Sequence, residues 1–395
     1  MFASRTNWRL EANRLTRALE EHRRAGRELL DLTASNPTAC GLEYPESEIL
    51  AALTDRRGVE YHPDSKGFRE AREAIAEYYR ARPGFVETTA SIDPDRIVLT
   101  SGTSEAYSHI FRLVCEAGDE ILVPVPSYPL FEFLADLADI RMVPYTLLYD
   151  HGWQIDFASL REAVTPRSRA VLVVHPNNPT GSFVKPREAT ELGELCRARH
   201  LAIVADEVFL DYANGRNEGL ARTFAFCNSA LTFTLSGLSK ISLLPQMKLA
   251  WTVVSGPEEL VRHALDRLEI IADTYLSPST PIQLALPKFL ALRHGLQAQL
   301  QRRITANLGV LDSMLRESKC LSRLGQEGGW YAILRVPVTG TDEDLAVALV
   351  ERSSVLVHPG HFFNFAQEGF LVVSLITPEE QFREGVSRLR KVFDR

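Results

Sequence analysis

"AVLVVHPNNPTGSFVKPREATELGELCRARHLAIVADEV", Ala170 to Val208, holds two apolar runs with an amphipathic segment between them. Ala170–Val174 and Leu201–Ala205 are apolar at every position, so neither alternates like a strand with one wet face. Such runs suit strands covered on both sides. "REATELGELCRARH" between them places Ala189, Leu192, Leu195 and Cys196 at helical spacing. Strand, helix, strand in this order predicts a parallel pair joined by a right-handed crossover.

The same alternation extends on both sides, from about Ile97 to Ser255. "RIVLT" precedes "SEAYSHIFRLVCEAG", "DEILVPV" precedes "YPLFEFLADLA", and "RMVPYTLL" precedes "DFASLREAV"; "ALTFTLS" and "LAWTVVSG" follow later. The expected class is α/β, with a large, mostly parallel, doubly wound sheet carrying helices on both faces. After Pro257 the pattern changes to long helices. The last 70 or so residues return to mixed pattern, with "GGWYAILRV", "SSVLVHPG" and "FLVVSLI" as strands. These predict a smaller α+β domain built from both chain ends, because the first forty residues precede the sheet pattern and carry one amphipathic helix. The expected division is 1–45 as an N-terminal segment packing with the small domain, 46–285 as the large domain, and 286–395 as the small domain.

A chain of 395 residues is long for one core, consistent with that division. The net charge of −7 argues against general attraction to nucleic acid or anionic membrane. Five cysteines are scattered without metal or redox spacing, so no metal site is expected, and reduced thiols in a cytoplasmic protein are. No apolar run reaches transmembrane length.

In open α/β sheets, sites lie beyond the carboxyl ends of the strands. There "TSGTSEAY" (Thr100–Tyr107) follows one strand and opens a helix, exposing backbone N–H groups in the manner of a phosphate cradle. By itself it reads first as a plain N-cap, with Ser101 or Thr103 as the cap. "HPNNPTG" (His175–Gly181) follows another strand and by itself is a tight turn. "IVADEV" ends a buried strand in Asp206 and Glu207, and a carboxylate there is costly unless paired. "LSGLSKISLLPQMKLAW" (Leu235–Trp251) places Lys240 and Lys248 on either side of a Leu-Leu-Pro turn.

The order of these pieces along the chain is more specific than any of them. The set Ser101–Ser104, Tyr128 after "PSYP", "NPTG", "DEV" and "SGLSK" resembles the class I/II aminotransferases, fold-type-I enzymes that use pyridoxal 5'-phosphate. The resemblance implies that Lys240 forms the Schiff base with the cofactor aldehyde and then shuttles a proton. It implies that Asp206 keeps the pyridine nitrogen protonated, Asn178 bonds the ring hydroxyl, and Tyr128 stacks on the ring. Gly102, Thr103 and Ser104 match the phosphate cradle, with Ser236 or Ser239 assisting and Lys248 where most of the family has an arginine. A cis Asn178–Pro179 bond is also implied. Tyr61 matches a tyrosine sent to the phosphate of the neighbouring subunit, which predicts a homodimer with shared active sites.

Three positions depart from the family pattern. Phe209 stands where a tyrosine supports the ring oxygen, and Gly237 where many relatives carry serine. Val372 in "GFLVVSLI" stands where an arginine clamps the substrate carboxylate. Arg335 and His361 are the candidate substitutes, and Trp330 with Tyr331, Phe362, Phe363 and Phe365 suggests an apolar pocket. The expected activity is amino transfer from a small amino acid or amine to a 2-oxo acid, with atypical specificity. A lyase, decarboxylase or racemase on the same scaffold is the alternative, since fold alone does not separate them. A cofactor-sensing regulator would need a DNA-binding module, for which the residues before the enzyme-like body leave no room.

Overall fold

A computed structural model describes residues 1–84 and 91–394. Its central sheet has eight strands. From edge to edge they run Ile97–Thr100, Ala250–Ser255, Thr232–Gly237, Ala202–Asp206, Ser168–Val174, Glu120–Val125, Arg141–Tyr149 and Trp153–Ile155. Ala250–Ser255 and Trp153–Ile155 run against their neighbours, and the other pairings are parallel.

The opening stretch shows why both faces are covered. Ala170, Leu172 and Val174 pack with Ile110 and Phe111 of helix Thr103–Val114 and with Leu268 of helix Glu258–Tyr275. Val171 and Val173 point the other way, into a cluster with Leu160, Leu192 and Cys196. Alternate residues of one strand therefore serve two separate cores, which is why an all-apolar run was required. At the strand edge Leu99, Trp251 and Val253 join a third cluster with Ile75, Tyr79 and Phe289.

The second sheet is antiparallel, in the order Ser322–Arg323, Tyr331–Arg335, Phe370–Ser374, His358–Pro359. Leu30–Asp31 pairs in parallel with Val355–Leu356. Helix Arg14–Arg24 packs on helix Asp342–Ser353, where Arg14 Nη1 lies 2.6 Å from Asp344 Oδ1. Helix Thr280–Arg316 is continuous through Pro287, so the expected boundary at 285/286 falls inside one helix. Among the described residues no helix is long and apolar enough to cross a membrane.

The strand directions position the site. Thr100 and Gly237 both pair with Ala250, so their strands end at one level. Val174 pairs with Asp206, and Asp206 with Leu235. The loops that follow these strands open on the same edge of the sheet.

Candidate active site

A cavity of about 350 Å³ opens at that edge. Thr103, Tyr128, Asn178, Asp206, Ser239 and Lys240 line it from the large sheet. Tyr331, His358, Phe362 and Phe363 line it from the region of the small sheet, and Ser35 from the N-terminal segment.

Lys240 sits on a four-residue helix, Leu238–Ile241, directly after its strand. Its Nζ donates to the Ser35 carbonyl at 3.4 Å and lies 4.6 Å from the Trp330 ring centre and 5.6 Å from that of Phe209. Burial pushes its pKa down to about 8, while Asp206 and Cys40 act in the opposite direction. An ammonium desolvated by aromatic walls loses its proton more easily, and the neutral amine is a nucleophile. Tyr212 holds the backbone beneath by donating to the Lys240 carbonyl at 2.6 Å.

Asp206 is buried at its strand end. Its Oδ2 accepts from Tyr107 Oη at 2.8 Å and its Oδ1 from the Val208 N–H at 3.1 Å. Burial raises its pKa, and these two bonds and Lys240 oppose that rise. A cation brought against it would favour the anion further. Glu207 alternates away from the cavity, accepting from Thr223 Oγ1 at 2.7 Å and the Phe224 N–H at 2.6 Å. Full burial pushes its pKa up to about 8.

The Asn178–Pro179 bond is cis, as are His175–Pro176 and Val125–Pro126. The turn is set by Gly181, whose φ of +66° suits glycine and whose added Cβ would meet the Gly328 carbonyl oxygen at 2.3 Å. Asn178 Oδ1 is buried with no hydrogen-bond partner among the described residues. An orphaned amide oxygen in a cavity wall calls for a ligand group that donates to it.

Helix Thr103–Val114 begins at the cavity rim with Gly102 as its N-cap. Ser101 is engaged by Glu105 through both its N–H and its hydroxyl. Lys248 is exposed, and its Nζ lies 3.9 Å from where a Gly102 Cβ would be. The helix start at Gly102 and the Lys248 ammonium therefore lie close together, two positive ends at one place. Ser236 is buried and directed at the Glu207 carbonyl at 3.4 Å.

The match that decides the family spans residues 27–389, to the model for aminotransferase class I and II. The chain belongs to that family. Alanine aminotransferase of Mycobacterium tuberculosis is 28% identical to this aminotransferase over 375 residues, 92% of this chain and 85% of that one. Arginine–pyruvate transaminase of Pseudomonas aeruginosa is 28% identical, covering 92% and 90%. In fold, the aminotransferase is similar to alanine aminotransferase from Pyrococcus furiosus, with a TM-score of 0.89 and 23% identity over 100% and 99% of the two chains. These likenesses favour amino transfer over the lyase, decarboxylase or racemase alternative.

Not all the expected residues of this aminotransferase reach the cavity. Arg335 is exposed at the far end of strand Tyr331–Arg335. Tyr331 at the near end lines the cavity, and four residues at about 3.3 Å each carry Arg335 some 13 Å away. His361 is exposed on the turn Gly360–Phe363, edge-on to Phe362 at 4.7 Å. Neither lines the cavity. Trp330 is fully buried, reaching Lys240 with its ring face but not lining the cavity. Tyr61 is 77% exposed and also away from the cavity of its own chain.

Three residues that matter were missed. Tyr107 is the partner of Asp206, and its signal was present: it falls four residues after Thr103, one helical turn on. Ser35 follows a short strand in "LTASNP", a hydroxyl before a turn. His358 in "VLVHPG" gave no local signal. The departures also acquire physical reasons. An added Cβ at Gly237 would lie 2.9 Å from that of Ala250 on the paired strand, so serine would not fit. Phe209 packs edge-on to Trp330 at 5.1 Å, joining the apolar wall around Lys240.

Proposed function

We propose that this chain holds pyridoxal 5'-phosphate in the cavity and exchanges an amino group between a small amino acid and a 2-oxo acid. The observation that carries this reading is the convergence of the low-pKa Lys240, buried Asp206 and orphaned Asn178 on one cavity. The donor set fits the cofactor. Lys240 supplies the amine for its aldehyde, Asp206 the anion for its ring nitrogen, Asn178 the amide for its hydroxyl, and Tyr128 an aromatic face. The N–H groups at Thr103 and Ser104 with Lys248 supply the phosphate site, with Gly102 allowing the approach. When bound, the cofactor supplies an electron sink for cleavage of a bond at the substrate's α-carbon.

The protein residues divide the remaining work. Lys240 Nζ, facing the cavity, would hold and move a proton at the substrate's α-carbon. Asp206 remains charged so that the ring nitrogen keeps its proton. The aromatic walls exclude water. We infer further that the active unit is a homodimer, with Tyr61 reaching the phosphate of the partner. Its exposure, beside Val59 at 89%, supports that reading because an aromatic so placed buries little of its surface within its own chain.

The names of the relatives point to the alanine–pyruvate couple. The cavity agrees, since among the described residues no arginine lines it, and a second carboxylate would find no guanidinium partner there. Alanine is therefore the first donor to test, with aspartate and glutamate poor ones. Mixing the holoenzyme with each amino acid and following the cofactor's visible band tests both points. Loss of the band with alanine and its return with pyruvate are expected. Efficient exchange between aspartate and 2-oxoglutarate would defeat the specificity, and no response to any amino acid would defeat amino transfer.

A further inference from the structure

An amino acid entering this cavity brings a carboxylate that the residues assigned above leave unpartnered. Lys240 and Asp206 are committed to the cofactor. Strand Phe370–Ser374 offers only Leu371, Val372 and Val373 along its middle, all fully buried. Directly opposite Val372, on the neighbouring antiparallel strand, stands His358. It lines the cavity, and among the described residues of that lining it is the one besides Lys240 able to carry positive charge. The ring is held edge-on by Phe363, centres 5.6 Å apart at 85°, with Phe362 at 6.2 Å on another side. Tyr331 and Ser35, two hydroxyl-bearing residues, share that lining.

The geometry points to His358 as the residue that binds the substrate's α-carboxylate and so selects amino acids over amines. The inference rests on the amino-transfer reading above. An imidazole fixed by two aromatic rings and by its bond to the Thr33 backbone offers, once protonated, its other ring nitrogen as one directed donor at low entropic cost, and a charge-assisted bond in an apolar cavity is stronger than one in water. Burial alone favours the neutral ring, with Asp31 and the Thr33 backbone pulling the other way. A carboxylate arriving at the ring acts in the same sense as Asp31. A single donor also explains how a cavity without arginine can still accept a monocarboxylate. It does not provide for a dicarboxylate.

The test uses holoenzyme of the parent, His358→Ala and His358→Gln. One arm measures kcat and KM for alanine and for ethylamine, its decarboxylated counterpart. A second arm measures binding of propanoate, which has the carboxylate but no amine, by calorimetry. In His358→Ala the KM for alanine should rise about tenfold or more with a smaller change in kcat. Propanoate should weaken by a similar factor, and ethylamine should be unaffected. His358→Gln, which keeps an N–H donor, should recover part of the loss. Unchanged alanine KM and propanoate affinity in a folded His358→Ala protein would overturn the proposal, as would a parent that does not bind propanoate. Should no amino acid be a donor, the amino-transfer reading fails on the first arm, while the propanoate arm still decides the role of His358.

Discussion

Tyr107 Oη lies 2.8 Å from Asp206 Oδ2 and donates its hydrogen to that oxygen. The bond stabilises the anion at a strand end where burial disfavours it. A hydrogen bond to a charged group contributes about 1.5–3 kcal/mol. Tyr107→Phe should therefore lower kcat/KM roughly tenfold to a hundredfold with the fold intact. Asp206→Asn should cost more, because it removes the charge and not only a partner. Equal activity of parent and Tyr107→Phe in steady-state assays would show that the Val208 N–H suffices.

Lys240 sets a pH dependence whose sign follows from its depressed pKa. The amine attacks only when neutral, and the neutral fraction grows as pH rises toward about 8. The rate of cofactor capture by cofactor-free protein should climb with pH and level off above about 8, as read by stopped-flow absorbance. Lys240→Ala should lack the visible band of the bound cofactor and have no turnover at any pH.

Lys248 is a test of the phosphate site. Removing the ammonium in Lys248→Ala should raise the dissociation constant of the cofactor about tenfold or more while leaving kcat at saturation closer to parental. Lys248→Arg should restore retention, since a guanidinium can meet the same phosphate. Equilibrium dialysis against free cofactor distinguishes these outcomes.

Gly237 separates a steric role from a chemical one. A Cβ added there would lie 2.9 Å from the Ala250 Cβ and 3.0 Å from its Cα, so Gly237→Ser must push two paired strands apart. Overpacking of this kind costs about 1–3 kcal/mol. The urea midpoint should fall accordingly, and Gly237→Ser combined with Ala250→Gly should regain part of the loss.

Tyr61 predicts complementation between subunits. Lys240→Ala and Tyr61→Ala homodimers should each be impaired, the first completely. Refolding them together should yield mixed dimers with one intact site and activity well above the sum of the separate preparations. No gain on mixing would place Tyr61 outside the partner's site.

How much of this was legible in the sequence depended on the range of the interaction. Asn178, Asp206 and Lys240 each end or follow a short apolar strand, so local pattern placed them on one edge once the strands were taken as parallel. His358 reaches the same cavity only through its pairing with Val372, a register that periodicity does not encode. Arg335 misled for the opposite reason. Its charge suggested a carboxylate partner, but its position in the strand carries it away from the cavity. The reversed direction of Ala250–Ser255 was equally hidden, because an all-apolar strand reads the same in either sense.

The pairing of Leu30–Asp31 with Val355–Leu356 has a consequence for the order in which the protein is made. A ribosome adding about 5–20 residues per second delivers that partner roughly 16–65 s after the first strand emerges. Through that interval Leu15 and Ala18 on helix Arg14–Arg24 lack their final covering. Its arginines and glutamates keep the nascent helix solvated. The eight-stranded sheet, by contrast, is already complete once Ser255 is out. Translation thus finishes the wall bearing Asp206, Asn178 and Lys240 before it supplies Tyr331 and His358. A growing chain completes the Lys240 half of the cavity first and the His358 half last.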